Sequence, residues 1–175
     1  MPKPKVLKTI IAGDGGVGKT TLLHRYVEGK FIADTRMTIG VQFHLKEFNI
    51  GEEQIFFQIW DFGGQDRFRF LLKSYAKGAK GAMLLFDLTR LQSLMHIKDW
   101  VEICRAENSE LPILFVGSKL DLVNSINFVN KTDESALKIK DEYNLFDYIK
   151  LSSKTGENVE LAFNKLANKI LQVNR

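Results

Sequence analysis

The apolar, β-branched run VLKTIIAG (Val6–Gly13) ends on glycine and predicts a buried strand. Leu22, Leu23, Tyr26 and Val27 then recur at helical spacing, with Gly29 as the stop. VQFHL (Val41–Leu45) alternates strictly, and FNIGEEQIFFQIW (Phe48–Trp60) reads as two strands around a Gly-Glu turn. GAMLLFD (Gly81–Asp87) and PILFVGSK (Pro112–Lys119) are short continuous apolar runs, the pattern of strands covered on both faces. Helical stretches fall at about Leu91–Glu107, Thr132–Asn144 and Glu157–Leu171. This alternation predicts an α/β fold with a mostly parallel sheet and one antiparallel hairpin near the front. Ligands of such sheets bind beyond the carboxyl ends of the strands. The glycine run after Val6–Gly13 lies there, as do DFGGQD after Trp60, DLTR after Phe86 and SKLD after Gly117.

Composition narrows the class. The chain has 175 residues, 45% hydrophobic and 26% charged, which suits one domain over 1–175 with a full core. No linker, repeat or low-complexity tract interrupts it. A single cysteine excludes an intrachain disulfide and fits a reducing, cytoplasmic setting. No apolar run reaches membrane-spanning length, and MPKPKVLK has no apolar signal core. Pro2 excludes N-myristoylation, and LQVNR holds no cysteine to prenylate, so no lipid anchor is expected on this chain and any membrane contact would be peripheral. The net charge of +4 raises the question of nucleic acid. The lysines are scattered, however, with no basic cluster interleaved with aromatics, so no nucleic-acid partner is expected.

Gly13 to Thr20, GDGGVGKT, fits G-x-x-x-x-G-K-[ST] between a predicted strand and a predicted helix. That context marks a phosphate-binding loop. Backbone N–H groups unobstructed by side chains, next to a helix N-terminus, cradle phosphate. Lys19 would reach the β- and γ-phosphates, and the Thr20 hydroxyl would ligate Mg2+. Asp61, at the end of FFQIW, is placed to hold Mg2+ through water or to cap its strand. Gly64 can offer an N–H to a γ-phosphate, and Gln65 can orient an attacking water. In SKLD, a carboxylate at Asp121 can accept from the N1–H and 2-amino edge of guanine, a donor pair adenine lacks. The stem of Lys119 can cover one face of the base.

On these motifs the chain resembles the Ras superfamily of small GTPases, and specifically a Rab-type member, from about Leu7 to Leu171. GDGGVGKT resembles the phosphate loop, TIGVQF (Thr38–Phe43) the first switch, WDFGGQD the second, GSKLDL the guanine-specificity motif and SSKTGEN (Ser152–Asn158) the last base-contacting loop. RFRFLL, YAKGA and FDLTR are similar to Rab hallmarks. The resemblance implies a six-stranded, mostly parallel sheet with one antiparallel edge strand and about five helices. It implies a monomeric GTP/GDP switch, cytoplasmic or peripheral to membranes, with a role in membrane trafficking. Nucleotide contacts are implied for Gly15, Gly16, Val17, Gly18, Thr21 and Thr35, for Phe31 edge-on to guanine, and for Ser152, Ser153 and Lys154 on the far side of the base. Thr38 would bind Mg2+ with its hydroxyl and the γ-phosphate with its N–H. Effectors, a GTPase-activating protein and an exchange factor are the implied partners, and both switches would be ordered by the γ-phosphate.

Several residues depart from the pattern. Ser118 stands where most members have asparagine, Gly63 where alanine is usual, Ser153 where alanine is usual, and Met37 and Thr35 differ from common first-switch residues. Asparagine in place of Ser118 is expected to tighten nucleotide, unless the loop has adapted to serine. Rab proteins normally end in a tail with prenylatable cysteines; here either a shortened chain or an unanchored, archaeal member fits. The chain offers no convincing internal arginine for the γ-phosphate, so slow unassisted hydrolysis and an external arginine are expected. Cys104 shares a helical stripe with Ile97, Trp100 and Val101 and reads as core. His24, His44 and His96 lack metal-ligand spacing. Phe43, Trp60, Phe68 and Tyr75 are either an effector surface or core. A nucleotide-locked scaffold and a P-loop kinase or ATPase remain as alternatives; Gln65 argues against the first, and the lack of a spare segment for an acceptor argues against the second.

Overall fold

The computed structural model describes residues 3–33, 35–124 and 126–174; Pro2, on which the myristoylation argument rests, lies outside them. The strands are β1 (Lys5–Ala12), β2 (Val41–Ile50), β3 (Glu53–Phe62), β4 (Gly81–Asp87), β5 (Ile113–Ser118) and β6 (Asp147–Lys150). The α-helices are α1 (Lys19–Leu23), α2 (Arg69–Tyr75), α3 (Ile97–Cys104), α4 (Ile126–Glu142) and α5 (Val159–Val173). The strands form one sheet in the order β2-β3-β1-β4-β5-β6. Among the described residues only the β2–β3 pair is antiparallel. The six-stranded, mostly parallel architecture expected from the resemblance is therefore observed, with five helices.

β4 and β5 are buried at every residue, as their unbroken apolar runs require. One face of the sheet packs Leu22, Leu23 and Tyr26 against Phe163, Leu166 and Ile170 of α5, with Tyr26 stacked on Phe163. The other packs Leu72, Trp100, Val101 and Cys104 against Phe86 and Phe115. Cys104 is 2% exposed, and burial pushes its thiol up to about 12, so it is core. β1 lies between β3 and β4, while the chain returns to β4 from the far side; this reversal opens a crevice at the carboxyl end of β1. The register Ile11↔Asp61 and Asp87↔Ser118 brings the ends of β3, β4 and β5 to that crevice.

Some elements differ from the pattern. α1 is short and runs on as a wider π-helical turn over His24–Glu28 before Gly29 stops it at φ 69. The helix after β4 is split into a 3-10 turn over Leu91–Leu94 and α3. α4 begins at Ile126, earlier than Thr132; INFVN carries residues of modest helix propensity, which leaves the start of the helix little local signal. β6 and α2 leave little periodicity in four and seven residues. The alternation of β2 reverses: Phe43 and Leu45 face solvent, at 49% and 55% exposure, while His44 and Lys46 face inward.

Candidate nucleotide site

The loop from Gly13 to Gly18 crosses the carboxyl end of β1 with positive φ at Gly13, Gly16 and Gly18. At Gly13 a Cβ would overlap the Leu85 carbonyl oxygen, so only glycine fits between the loop and β4. Lys19 is 6% exposed and donates to the Gly13 and Asp14 carbonyls at 2.6 and 2.9 Å. Burial pushes its ammonium down to about 8, against the raising pull of Asp61 and Asp14.

Beside it stand three oxygen donors. Thr20 Oγ1 lies 2.7 Å from Thr38 Oγ1 and donates to Asp61 Oδ2 at 2.6 Å. Asp61 is fully buried and its Oδ1 has no partner. Burial raises the Asp61 carboxyl, against the Thr20 hydrogen bond and the Lys19 charge. Two hydroxyls and an orphaned carboxylate oxygen are the hard donors that Mg2+ takes, the remaining positions going to water and phosphate. The residues therefore fit the ion.

The first cavity is lined by Gly15, Gly16, Gly18, Lys19, Thr20, Thr38 and Gly64, together with Thr35, Arg36 and Met37. The second shares Gly16, Gly18 and Thr35 with it and adds Val17, Thr21, Phe31, Lys119, Asp121, Ser153 and Lys154. Thr21 and Thr35 hydroxyls are 3.3 Å apart at the junction. Lys119 lies at φ 63, binds Asp87 at 2.7 Å and donates to the Gly16 carbonyl at 2.9 Å, which lays its stem along the second cavity. For Asp87, burial pushes upward, but the hydrogen bonds from Lys119 and Thr89 prevail and hold it below the usual carboxylate range. Ser152 stands behind Asp121 rather than on the cavity wall. Its hydroxyl, fully buried, donates to Asp121 Oδ1 at 2.6 Å. Arg25 binds the Ser153 carbonyl at 2.6 Å and also that of Lys154, fixing the loop.

Two departures from the pattern have physical reasons here. At Gly63 a Cβ would meet the Thr38 carbonyl at 2.6 Å and the Gly40 carbonyl at 2.8 Å, and Gly63 N–H donates to Gly40 O at 2.7 Å. The two switches touch through backbone, which excludes alanine. Ser118 Oγ lies 2.5 Å from Val17 O and 2.9 Å from Phe86 O at 3% exposure. It already ties its loop to the phosphate loop, the link an asparagine amide would otherwise supply. Ser118→Ala is therefore expected to speed release of a fluorescent GDP analogue by about 2- to 12-fold, the worth of one hydrogen bond. Ser118→Asn is expected to leave release equal or faster, as stopped flow will show.

The motifs are silent about Asp14, which fills a variable position of the phosphate loop. Its carboxylate receives Trp100 Nε1 at 2.7 Å, His96 Nδ1 at 2.8 Å and Arg69 at 3.1 Å. Arg69 also binds Asp66 at 2.5 Å and lies over the Trp100 ring. Asp14 thus joins the phosphate loop to the second switch and α3, and His96 has this structural role. Gln65 does not line either cavity; its amide oxygen accepts from Arg67 Nε at 3.1 Å. Phe43 meets Trp60 edge-on at 5.4 Å, and Trp60 meets Tyr75 at 5.8 Å. Phe43 and Tyr75 are 49% and 43% exposed and belong to the surface, while Trp60 between them packs partly against the core and Phe68 is half-buried.

Fold and site define a P-loop protein with a second cavity for a base. The Ras family model matches residues 8–172. Ras-related protein RABA4a of Arabidopsis thaliana is 36% identical over 169 residues, covering 96% of this chain and 73% of its own. Ras-related protein Rab-4A of Rattus norvegicus is 37% identical over 169 residues, covering 95% of this chain and 75% of its own. RABA4d of Arabidopsis thaliana is likewise 37% identical, covering 96% and 74%. The chain belongs to the Ras family and is Rab-like: a small GTPase, a guanine-nucleotide switch that hydrolyses GTP. Among the described residues no helix is long and apolar enough to cross a membrane.

Proposed function

We propose that this protein binds GTP and GDP with Mg2+, hydrolyses GTP slowly, and recruits effectors in its GTP state, as one domain acting peripherally to membranes in trafficking. The observation that carries the reading is the pair of cavities with shared walls, one lined by Lys19, Thr20 and Thr38 with Asp61 bonded behind Thr20, the other lined by Lys119 and Asp121. In this reading Lys19 moves its donors from the Gly13 and Asp14 carbonyls to the β- and γ-phosphates. Thr20, Thr38 and Asp61 would hold Mg2+, which neutralises charge on the phosphates. Gly64 N–H binds the γ-phosphate, and Gln65 turns from Arg67 to orient the water. Phe31, Thr35, Ser153 and Lys154 enclose the base. The exposed Phe43 and Tyr75 rings, joined through the half-buried Trp60 and flanked by both switches, suit an effector contact that changes with nucleotide. Activating and exchange proteins act on the same two switches; the protein itself works as a monomer.

The test has two parts. Nucleotide released from the purified protein by denaturation and read by chromatography is expected to be GDP or GTP; ADP or ATP would overturn the base reading. In single-turnover assays Gln65→Leu is expected to keep GTP affinity and lose partner-stimulated hydrolysis. Unchanged stimulated turnover would remove Gln65 from its role.

A further inference from the structure

The sequence offers no evident arginine for the γ-phosphate, yet the structure brings two to the phosphate loop. Arg90 is already engaged: its guanidinium donates to the Gly15 carbonyl at 2.8 Å. Carbonyls of such a loop face away from the ligand that its N–H groups bind, so Arg90 braces the loop from outside. Arg36 differs. It lines the first cavity with Lys19, Thr20, Thr38 and Gly64, and it does not line the base cavity. Its place is therefore the β–γ end of a bound nucleotide.

The other described arginines are committed elsewhere. Arg25 holds the Ser153 and Lys154 carbonyls, Arg67 holds Gln65, Arg69 holds Asp14 and Asp66, and Arg105 holds the Leu111, Tyr143 and Asn144 carbonyls. Among the described arginines, Arg36 alone has no hydrogen-bond or ion-pair partner, and it is exposed beside a cavity built for a polyanion. It is two residues before Thr38, whose hydroxyl sits on Thr20, so ordering of Thr38 by metal and γ-phosphate also fixes the backbone that carries the guanidinium.

We propose that Arg36 is a catalytic arginine supplied by this chain itself, acting on the γ-phosphoryl of GTP. The inference rests on the nucleotide reading above. During hydrolysis the water oxygen bonds to the γ-phosphorus while the bond from that phosphorus to the β–γ bridging oxygen breaks. The electron pair of that bond stays on GDP, and the water proton passes to the departing phosphate. Negative charge grows on the bridging oxygen. Arg36 donates N–H groups to it and to a γ-oxygen, contacts stronger in the transition state than in bound GTP. A guanidinium presents two parallel donors; an ammonium is a point charge and does not replace it.

The experiment measures nucleotide affinity and partner-free single-turnover hydrolysis with Mg2+ for wild type, Arg36→Ala and Arg36→Lys. Formation of a complex with GDP and aluminium fluoride, a mimic of the transferring phosphoryl group, is followed in parallel. Arg36→Ala is expected to slow hydrolysis roughly 10- to 100-fold, the scale separating GTPases with and without an internal arginine. GTP affinity is expected to change by less than about 3-fold. Wild type is expected to form the aluminium fluoride complex without a partner, Arg36→Ala and Arg36→Lys not. Failure of wild type to bind GTP would refute the nucleotide reading itself. A wild type that binds GTP but matches Arg36→Ala in hydrolysis, or shows no partner-free hydrolysis, would overturn the role of Arg36 alone.

Discussion

Asp121→Asn is expected to move the protein from guanine to xanthine nucleotides. Ser152 donates to Asp121 Oδ1, and an amide oxygen at the same place keeps that bond. The variant therefore orients its Oδ1 toward Ser152 and the base N1–H, and its NH2 toward the substituent on C2. Guanine has an amine there, so donor meets donor; xanthine has a carbonyl, which accepts. Hydrogen bonds to a charged group contribute about 1.5–3 kcal/mol each and neutral ones about 0.5–1.5, so losing the bond to the 2-amino group and the charge behind the bond to N1–H weakens GTP by roughly 10²- to 10³-fold. Competition of GTP and XTP against a fluorescent GDP analogue measures the shift. A variant that still prefers GTP would mean that Asp121 does not read the base. Ser152→Ala, by contrast, leaves the carboxylate in place but frees it to turn.

Lys19→Ala comes second in size. The ammonium occupies a slot between two loop carbonyls, 2.6 and 2.9 Å away, and is almost dehydrated. In such a place its bonds to phosphate are charge-assisted and poorly screened. Removing them is expected to weaken GTP and GDP by about 10²-fold or more. Lys19→Arg is expected to fail as well, because a planar guanidinium does not fit a slot shaped for a compact ammonium. Equilibrium titration of both variants decides it. Affinity within a few-fold of wild type would place the phosphates elsewhere.

Gly63 illustrates how local pattern and long-range packing divide the work. Its sequence neighbours identify the second switch, but the reason for glycine lies in Thr38 and Gly40, about 25 residues earlier in the chain, whose carbonyls crowd its Cα. Ser118 is similar: the motif suggests a missing amide, whereas folding puts Val17 O within reach of a hydroxyl. Ser152 reads as a base contact in its motif and is found one shell back, behind Asp121.

The sequence by itself determined the phosphate loop, the strands that precede each motif and the place of Asp121, the proposed base reader. These depend on contiguous residues: glycines that free backbone N–H groups, β-branched runs that favour strand, a carboxylate at fixed spacing from Lys119. Parallel strands β4 and β5 were legible because burial on both faces leaves an unbroken apolar run. Only the tertiary structure decided how those pieces meet. The three donors of Asp14 come from Arg69, His96 and Trp100, and no local periodicity encodes their convergence. The outward turn of Phe43 and Leu45 is set by the register of β2 on β3, since a strand that alternates can present either face to solvent. The place of Arg36 follows from the path of the first switch over the phosphate loop, a path fixed by the Thr20–Thr38 contact and by Gly63 N–H on Gly40 O.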